Sequence, residues 1–248
     1  MLVVALAGFG IYQLTATKDD APNDISNNKM NQSDRQNNDK TTPNFDKARY
    51  SQTDPTSIWV IVNKKHGLSP KTYIPNDLVV PDVRLRVPGN SSMQVRQVTA
   101  DALEKLIGDA KSQGINLELS SGYRSYSFQV SLYGSYVKSD GQAAADRVSA
   151  RPGYSEHQTG LAADLDDLSH KCHLETCFGE LPEGKWLAAH AYEYGFVIRY
   201  PKDKESITGY AYEPWHLRYI GVSAATEMHI QHIETLEEFF GVSGGVNY

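Results

Sequence analysis

One change in composition, near residue 50, limits what this chain can fold into. Residues 18–50 are rich in Asn, Asp, Gln, Lys and Ser. The larger apolar residues before Tyr50 are Ile25, Met30 and Phe45. So little apolar surface cannot offset the conformational entropy that folding removes. We therefore expect residues 18–54 to form a disordered polar spacer and residues 55–248 to form the folded domain.

The chain opens with an uncharged segment, residues 2–17, whose first part is strongly apolar. It is short for a membrane-spanning helix, which needs about 20 residues, but it suits the apolar part of a secretory signal. No Lys or Arg precedes it, and no good small-x-small cleavage site lies near Thr15. We expect residues 1–17 to be a signal peptide or an N-terminal membrane anchor, with the domain outside the cytoplasm. The alternative is a buried core segment.

The balance of charges and of metal-binding residue types excludes several classes of protein. Lys plus Arg number 24 and Asp plus Glu number 30, a net charge of −6. This argues against nucleic acid as a partner, because phosphate binding needs a basic face. Two Cys are too few for a disulfide-dense scaffold or a four-cysteine zinc site. Eight His leave a metal site of His and carboxylate ligands open.

Hydrophobic spacing in the folded part alternates between helix and strand. Apolar residues from Val98 to Ala110 recur at helical spacing, Gly114 supplies the stop, and residues 115–119 alternate as a strand. The later predicted helices cover 127–138, 186–192 and 223–240, and the later predicted strands cover 161–166, 196–200 and 212–216. This mixture, in a chain long enough for one sizeable core, predicts an α+β domain.

The segment from Ser155 to Asp164 carries the first chemical signal. His157 lies in a loop, and Asp164 follows seven residues later on a predicted strand. Imidazole nitrogen and carboxylate oxygen are both good zinc ligands, and the two can converge if the chain turns at Gly160. Taken alone, such a pair is more often a surface hydrogen bond.

The second signal is Glu213-Pro214-Trp215-His216. His216 would be a third ligand, and three protein ligands leave the fourth position of a zinc ion for water, as in catalytic sites. Glu213 would then be free to take a proton from that water. The alternative is a buried Trp215 flanked by two surface polar residues.

The third signal is Ser121-Gly122-Tyr123-Arg124-Ser125, with Gln129 about one helical turn beyond. An Arg at the end of a strand can face the negative charge that develops on a tetrahedral intermediate. Its alternative is an ordinary ion pair, which is the commoner role for an Arg.

Together these segments resemble the zinc D-alanyl-D-alanine carboxypeptidases of the VanY type. The family pattern Ser-x-His-x-x-Gly-x-Ala-x-Asp matches residues 155–164, Glu-Pro-Trp-His matches 213–216, and Ser-Gly-Tyr-Arg-Ser matches 121–125. The resemblance covers about residues 71–221. It implies an α+β fold with a small central antiparallel sheet flanked by helices, as in Hedgehog-type domains.

The resemblance also implies roles for individual residues. One zinc ion per chain would be bound by His157, Asp164 and His216. Glu213 would be the general base and then the general acid, and Arg124 would polarise the scissile carbonyl. The expected substrate-positioning residues are Ser155 and Gln129, and Tyr123 and Tyr154 flank the motifs and are expected to line the peptide groove.

Cys172 and Cys177 enclose four residues and lie close to His170 and His173. An exported location favours a local disulfide between them, and the alternative is a second zinc site. The other six His, which include His170 and His173, have no ligand role in this interpretation.

The implied activity is removal of the C-terminal D-alanine from peptidoglycan stem peptides. The motifs do not separate a D,D-carboxypeptidase from an L,D-carboxypeptidase that acts on tetrapeptide stems. A non-catalytic wall-binding module and a penicillin-sensitive serine enzyme are further alternatives. The Ser-x-x-Lys signature of the latter occurs at 26–29 and 135–138 without its companion motifs. We expect a monomer that meets the membrane only through its N-terminal segment.

Overall fold

Four strands form an antiparallel sheet in the computed structural model, which describes residues 45–248. The strands in chain order are β1 (Leu78–Val79), β2 (Val95–Arg96), β3 (Leu117–Ser121), β4 (Ala162–Asp167), β5 (Phe196–Tyr200) and β6 (Glu213–Tyr219). The helices are α1 (Gln97–Ser112), α2 (Tyr126–Asp140), α3 (Gln142–Val148), α4 (Pro182–His190), α5 (Glu205–Thr208), α6 (Val222–Ile230) and α7 (Leu236–Phe240). Short 3₁₀ helices cover Ser91–Met93, Glu156–Thr159, Thr176–Glu180 and Ala191–Tyr194. The central sheet has the order β3-β4-β6-β5, and β1 pairs with β2 beside it. The prediction of an α+β domain with a small antiparallel sheet is confirmed.

Helix α1 forms where the apolar spacing predicts it. Leu103 and Leu106, three positions apart, are fully buried in the main core together with Leu119 of β3, because residues three apart share one face of a helix. The chain leaves the helix through Gly114, whose φ of 82° suits a residue without a Cβ. The helix thus covers the sheet from which the polar motifs project.

Strand β6 continues beyond the predicted end at residue 216, in spite of Pro214. The pairing of β5 with β6 shifts between Ile198 and Tyr200, so that residues 214–216 lie opposite one residue of β5. Proline is tolerated at such an irregularity because no ladder hydrogen bond is required of its nitrogen. The bulge lies directly at the Glu213-to-His216 motif, where it changes the direction of these side chains.

The ends of the domain pack on each other in a second core. Trp59, Phe239 and the helix α6 residue Met228 are buried there.

The expected signal or anchor at 1–17, and the spacer up to residue 44, lie outside the described residues. The spacer was expected to reach residue 54, but Phe45 packs its ring 5.5 Å from those of Trp59 and Phe239. The packed part of the chain therefore includes Phe45, before the expected boundary at residue 54. Trp59 and Phe239, which are distant in the sequence, supply the apolar surface on which Phe45 packs. Among the described helices none is both long enough and apolar enough to span a bilayer.

Candidate active site

The register of the central sheet brings two of the predicted zinc ligands together. Asp164 of β4 lies opposite His216 of β6, and Ser121 of β3 lies opposite Asp164 on the other side. Directly opposed residues in an antiparallel pair carry their side chains on the same face. The sheet therefore holds the carboxylate and the imidazole side by side, although they are 52 positions apart in the sequence.

His157 reaches the same point from the 3₁₀ helix Glu156–Thr159. Gly160 ends this helix with a φ of 67°, and an added Cβ there would lie 2.8 Å from the Arg96 side chain. The chain thus turns at Gly160, which is the condition under which His157 and Asp164 can converge. The His157 Nδ1–H donates to the carbonyl oxygen of Gly122 at 2.6 Å, which leaves Nε2 with a lone pair 3.3 Å from Asp164 Oδ2.

The three side chains have the donor set and spacing of a zinc site. One donor atom from each of His157, Asp164 and His216 lies within 4.8 Å of the others, and His216 Nδ1 is 3.4 Å from Asp164 Oδ1. Ligand atoms at 2.0–2.1 Å from a tetrahedral zinc ion would be about 3.3–3.4 Å apart. Asp164 Oδ1 is buried and has no hydrogen-bond partner among residues 45–248, so a cation would satisfy an otherwise unpaired oxygen.

The electrostatics of the two imidazoles differ. Burial, together with the nearby Arg124 guanidinium, lowers the pKa of His157 to about 4, so this ring is neutral at pH 7, as a metal ligand must be. Burial on its own would lower the pKa of His216, yet the nearby Asp164 and Glu156 carboxylates raise it to about 9. The surroundings of His216 thus favour a positive charge at this point.

Glu213 stands at the start of β6, with Oε2 3.5 Å from His216 Nδ1. Its side chain is 13% exposed. Burial raises its pKa to about 7 against the lowering effect of the nearby His216, and Asp164 adds a smaller increase. A carboxylate with a pKa near the working pH can both accept and return a proton. This is the property expected of the general base.

Arg124 follows β3 and points into the same site. Its Nη2 donates to Asp164 Oδ2 at 2.5 Å, and its Nε donates to Ser121 Oγ at 3.1 Å. Burial would raise the pKa of Asp164, but His157 and Arg124 hold it well below its usual range. Arg124 therefore forms the ion pair that was the alternative interpretation, with Asp164, and it also lines the cavity. Its role toward a scissile carbonyl stays a prediction.

The site opens into a cavity of about 560 Å³. Residues of helix α2, residues 173–176 and residues of the three sequence motifs contribute to its lining. Ser155 and Gln129, the predicted substrate-positioning residues, both line it. Gln129 Nε2 donates to the Ala150 carbonyl at 2.7 Å, while its Oε1 is buried and has no partner in the part of the chain that the structure describes. The amide is therefore held in one orientation beside the cavity.

The two predicted groove tyrosines lie elsewhere. Tyr154 is not among the residues that line the main cavity, and its ring packs edge-on against Tyr248 at 5.2 Å. Tyr123 borders a smaller neighbouring depression, and no described residue forms a hydrogen bond with its buried hydroxyl. Both residues adjoin motif positions in the sequence, but the backbone turns their side chains away from the motif residues that line the cavity.

The region predicted to hold a disulfide forms part of the cavity wall. The sulfur atoms of Cys172 and Cys177 are joined, with their Cα atoms 5.6 Å apart. His170 Nε2 lies 2.7 Å from Glu118 Oε1, and His173 Nδ1 lies 2.7 Å from Asp166 Oδ2. These carboxylates also pair with Arg84 and Arg86, respectively. The alternative of a second zinc site with cysteine ligands is therefore not favoured.

Sequence reasoning missed Glu156, which lies inside the first motif. Its Oε2 is 3.5 Å from His216 Nε2, and its Oε1 accepts hydrogen bonds from Arg199 and Arg218. Its position next to His157 was the one available signal. The two arginine partners could not be found from local patterns, because they are 43 and 62 positions away.

Comparison with known proteins agrees with this site. The model of the family described as VanY, D-alanyl-D-alanine carboxypeptidase, matches residues 92–222. YodJ of Bacillus subtilis (strain 168), named among the carboxypeptidases, is 45% identical over 187 residues, which are 75% of this chain and 68% of that protein. A solved LdcB LD-carboxypeptidase, described with its peptidoglycan recognition, is 44% identical with a TM-score of 0.71 and covers 77% of this chain and 89% of its own.

A second solved structure carries a metal. It is a mutant of the vancomycin-resistance D,D-pentapeptidase VanY in complex with Zn(II), 32% identical with a TM-score of 0.56. The match covers 73% of this chain and 97% of that chain. The family match spans more than half of the 248 residues and includes all three motifs. The chain therefore belongs to the VanY family of D-alanyl-D-alanine carboxypeptidases.

Proposed function

We propose that this chain is a zinc metallocarboxypeptidase that removes the C-terminal D-alanine from peptidoglycan stem peptides. The observation that carries the proposal is the convergence of His157, Asp164 and His216 with Glu213 in the lining of one cavity. Three protein ligands and a nearby carboxylate with a raised pKa are the parts that metal-assisted peptide hydrolysis needs. A pure binding module would need neither Glu213 nor Arg124.

The two imidazoles and Asp164 would hold one zinc ion per chain. When bound, zinc would act as a Lewis acid toward the scissile carbonyl and lower the pKa of a coordinated water. Glu213 would accept the proton of the attacking water at its carboxylate and deliver it to the leaving amine. Its pKa of about 7 suits both transfers, because neither protonation state is strongly disfavoured at neutral pH.

Arg124 would stabilise the negative charge that develops on the carbonyl oxygen. Its guanidinium borders the cavity, with a side chain that is 19% exposed, and a partly desolvated donor fixed in place is effective for this task. We propose that Ser155 and Gln129 position the terminal groups of the substrate. Tyr154 and Tyr123 have no part in this proposal, because they do not line the main cavity.

A specific observation favours a second specificity. The LD-carboxypeptidase neighbour has higher identity and a higher TM-score than the D,D-pentapeptidase neighbour. An L,D-carboxypeptidase acting on tetrapeptide stems is therefore the alternative. Mass spectrometry of the products from tetra- and pentapeptide muropeptides separates the two. Loss of alanine from the pentapeptide supports D,D cleavage, and loss from the tetrapeptide alone would replace it with L,D cleavage.

Metal analysis tests the zinc proposal itself. The full chain is expected to contain one zinc per molecule, and a chelator is expected to abolish release of D-alanine, while added zinc restores it. Penicillin is expected to have no effect, in contrast to the serine enzymes that catalyse this reaction. Full activity in metal-free protein would refute the mechanism.

We further propose that the enzyme acts outside the cytoplasm as a monomer, with residues 1–17 as signal or anchor and residues 18–44 as spacer. Stem peptides of the wall are an extracytoplasmic substrate, and a Cys172–Cys177 disulfide fits an oxidising location. Cell fractionation and free-thiol counting test this. Two reactive thiols in native, unreduced protein would refute the disulfide.

A further inference from the structure

Glu156 occupies the side of the His216 ring that faces away from Asp164. His216 Nδ1 faces Asp164 at 3.4 Å, and His216 Nε2 faces Glu156 Oε2 at 3.5 Å. Within the described residues, neither Nε2 nor Oε2 has a hydrogen-bond partner at normal distance. Both residues are at least 96% buried. Buried polar atoms normally form hydrogen bonds. A small rotation of the His216 ring would bring these two atoms to hydrogen-bonding distance and angle.

The Glu156 carboxylate is not free to turn. Its Oε1 accepts from Arg199 Nε at 2.8 Å and from Arg218 Nη1 at 2.7 Å, and all three side chains are fully buried. The two guanidinium groups thus hold the carboxylate in one orientation, with Oε1 occupied and Oε2 directed at His216.

Residues outside the three sequence motifs hold the two arginines in place. Arg199 donates to both carboxylate oxygens of Glu237 on α7, at 2.7 and 3.0 Å. Arg218 donates to the Val60 carbonyl at 2.7 Å. Glu237 and Val60 both lie beyond residues 92–222, which the family model matches. Through these two arginines, Val60 and Glu237 thus help to fix the orientation of the Glu156 carboxylate.

We infer that Glu156 is a positioning residue for the proposed zinc site, accepting a hydrogen bond from His216 Nε2–H and so reserving His216 Nδ1 for the metal. A neutral imidazole carries one N–H, and an acceptor at one nitrogen leaves the lone pair on the other. Carboxylate partners of this kind orient metal-ligating histidines and make them better donors. The inference rests on the proposed function, because the choice of tautomer matters only if Nδ1 binds zinc.

The Glu156→Gln substitution reverses the polarity of this contact with little change of shape. Since Arg199 and Arg218 both donate to Oε1, the Gln carbonyl oxygen must stay at that position. The amide NH₂ then takes the place of Oε2 and points a donor at His216 Nε2. The ring must present a lone pair there and move its proton to Nδ1, which opposes metal binding. We expect the zinc affinity to fall about 10- to 100-fold, the range for outer partners of metal ligands.

The matched control is Glu118→Gln. Glu118 is also buried and is paired with an arginine and a histidine, Arg84 and His170, but it does not contact the proposed ligands. Zinc affinity is measured by competition with a chromophoric chelator on the full chain, with thermal unfolding alongside. A loss of at least tenfold in E156Q, with less than threefold in E118Q, is the expected result. Equal affinity in folded E156Q, or equal losses in both variants, would overturn the inference.

A measurement on the wild-type protein keeps the test decisive if E156Q does not fold. Nitrogen-15 NMR of histidine-labelled protein assigns the protonated ring nitrogen of His216. A proton on Nε2, with its resonance shifted downfield by a carboxylate, is expected; a proton on Nδ1 refutes the inference. Wild-type protein that binds no zinc would refute the proposed function instead, and the tautomer would then be read in spectra recorded above about pH 9, where the His216 ring is neutral.

Discussion

Replacing Glu213 with glutamine tests both the chemistry of the site and its energetic cost. Glutamine has nearly the same shape but cannot accept a proton. General acid–base catalysis contributes about 10²- to 10⁴-fold to turnover, so we expect a loss of kcat in that range. Zinc stoichiometry should stay at one per chain, because the proposed ligands are His157, Asp164 and His216.

The same substitution should stabilise the chelator-treated protein at high pH. Burial raises the pKa of Glu213 from 4.5, the ordinary value for glutamate, to about 7. At 1.36 kcal/mol per pH unit, holding the ionised form in this site costs about 3 kcal/mol. A raised carboxyl pKa means that stability is lost as the pH rises from about 4.5 through about 7. Glu213→Gln removes that loss. The free energy of unfolding of the variant should therefore equal that of wild type below pH 4.5 and exceed it by about 3 kcal/mol above pH 7.

Denaturant unfolding of both proteins from about pH 4 to about pH 9, in the presence of a chelator, measures this difference. D-alanine release and metal content are measured on the zinc-loaded proteins. A lower stability of the variant at high pH would refute the reasoning about burial. An activity loss below threefold, or loss of zinc in parallel with activity, would refute the assignment of Glu213 as the base.

Three further predictions concern the surroundings of the site. His216→Ala should weaken zinc binding more than about 100-fold, beyond the range of outer partners, and a variant that retains stoichiometric zinc would remove His216 from the ligands. Although burial opposes it, Arg199 lowers the pKa of Glu237 below its ordinary 4.5, so its contribution to stability is present above pH 4.5 and lost as the pH falls below it. The melting temperature of Glu237→Gln should therefore fall less than that of wild type between about pH 6 and about pH 3, and an unchanged fall would contradict this. Gly160→Ala forces a Cβ to within 2.8 Å of Arg96 at a φ of 67° and should destabilise the protein by more than about 1 kcal/mol, measured by urea unfolding.

The sequence by itself determined the local elements and the set of reactive residues. The apolar spacing that predicts α1, the strand at 196–200 and the turn at Gly160 all depend on neighbours within a few positions, and the structure agrees with each. The motifs were enough to propose His157, Asp164 and His216 as zinc ligands and Glu213 as the base, because these are the residue types that zinc chemistry requires.

Only the tertiary structure decided how these residues meet and what supports them. The register of β4 against β6 places Asp164 beside His216, and register depends on the packing of the whole sheet rather than on either strand. Tyr154 adjoins a motif but faces Tyr248. Glu156 was passed over because its partners, Arg199 and Arg218, lie on β5 and β6. A buried charge is stable only when distant residues pair with it, so its role becomes visible only when the chain is folded.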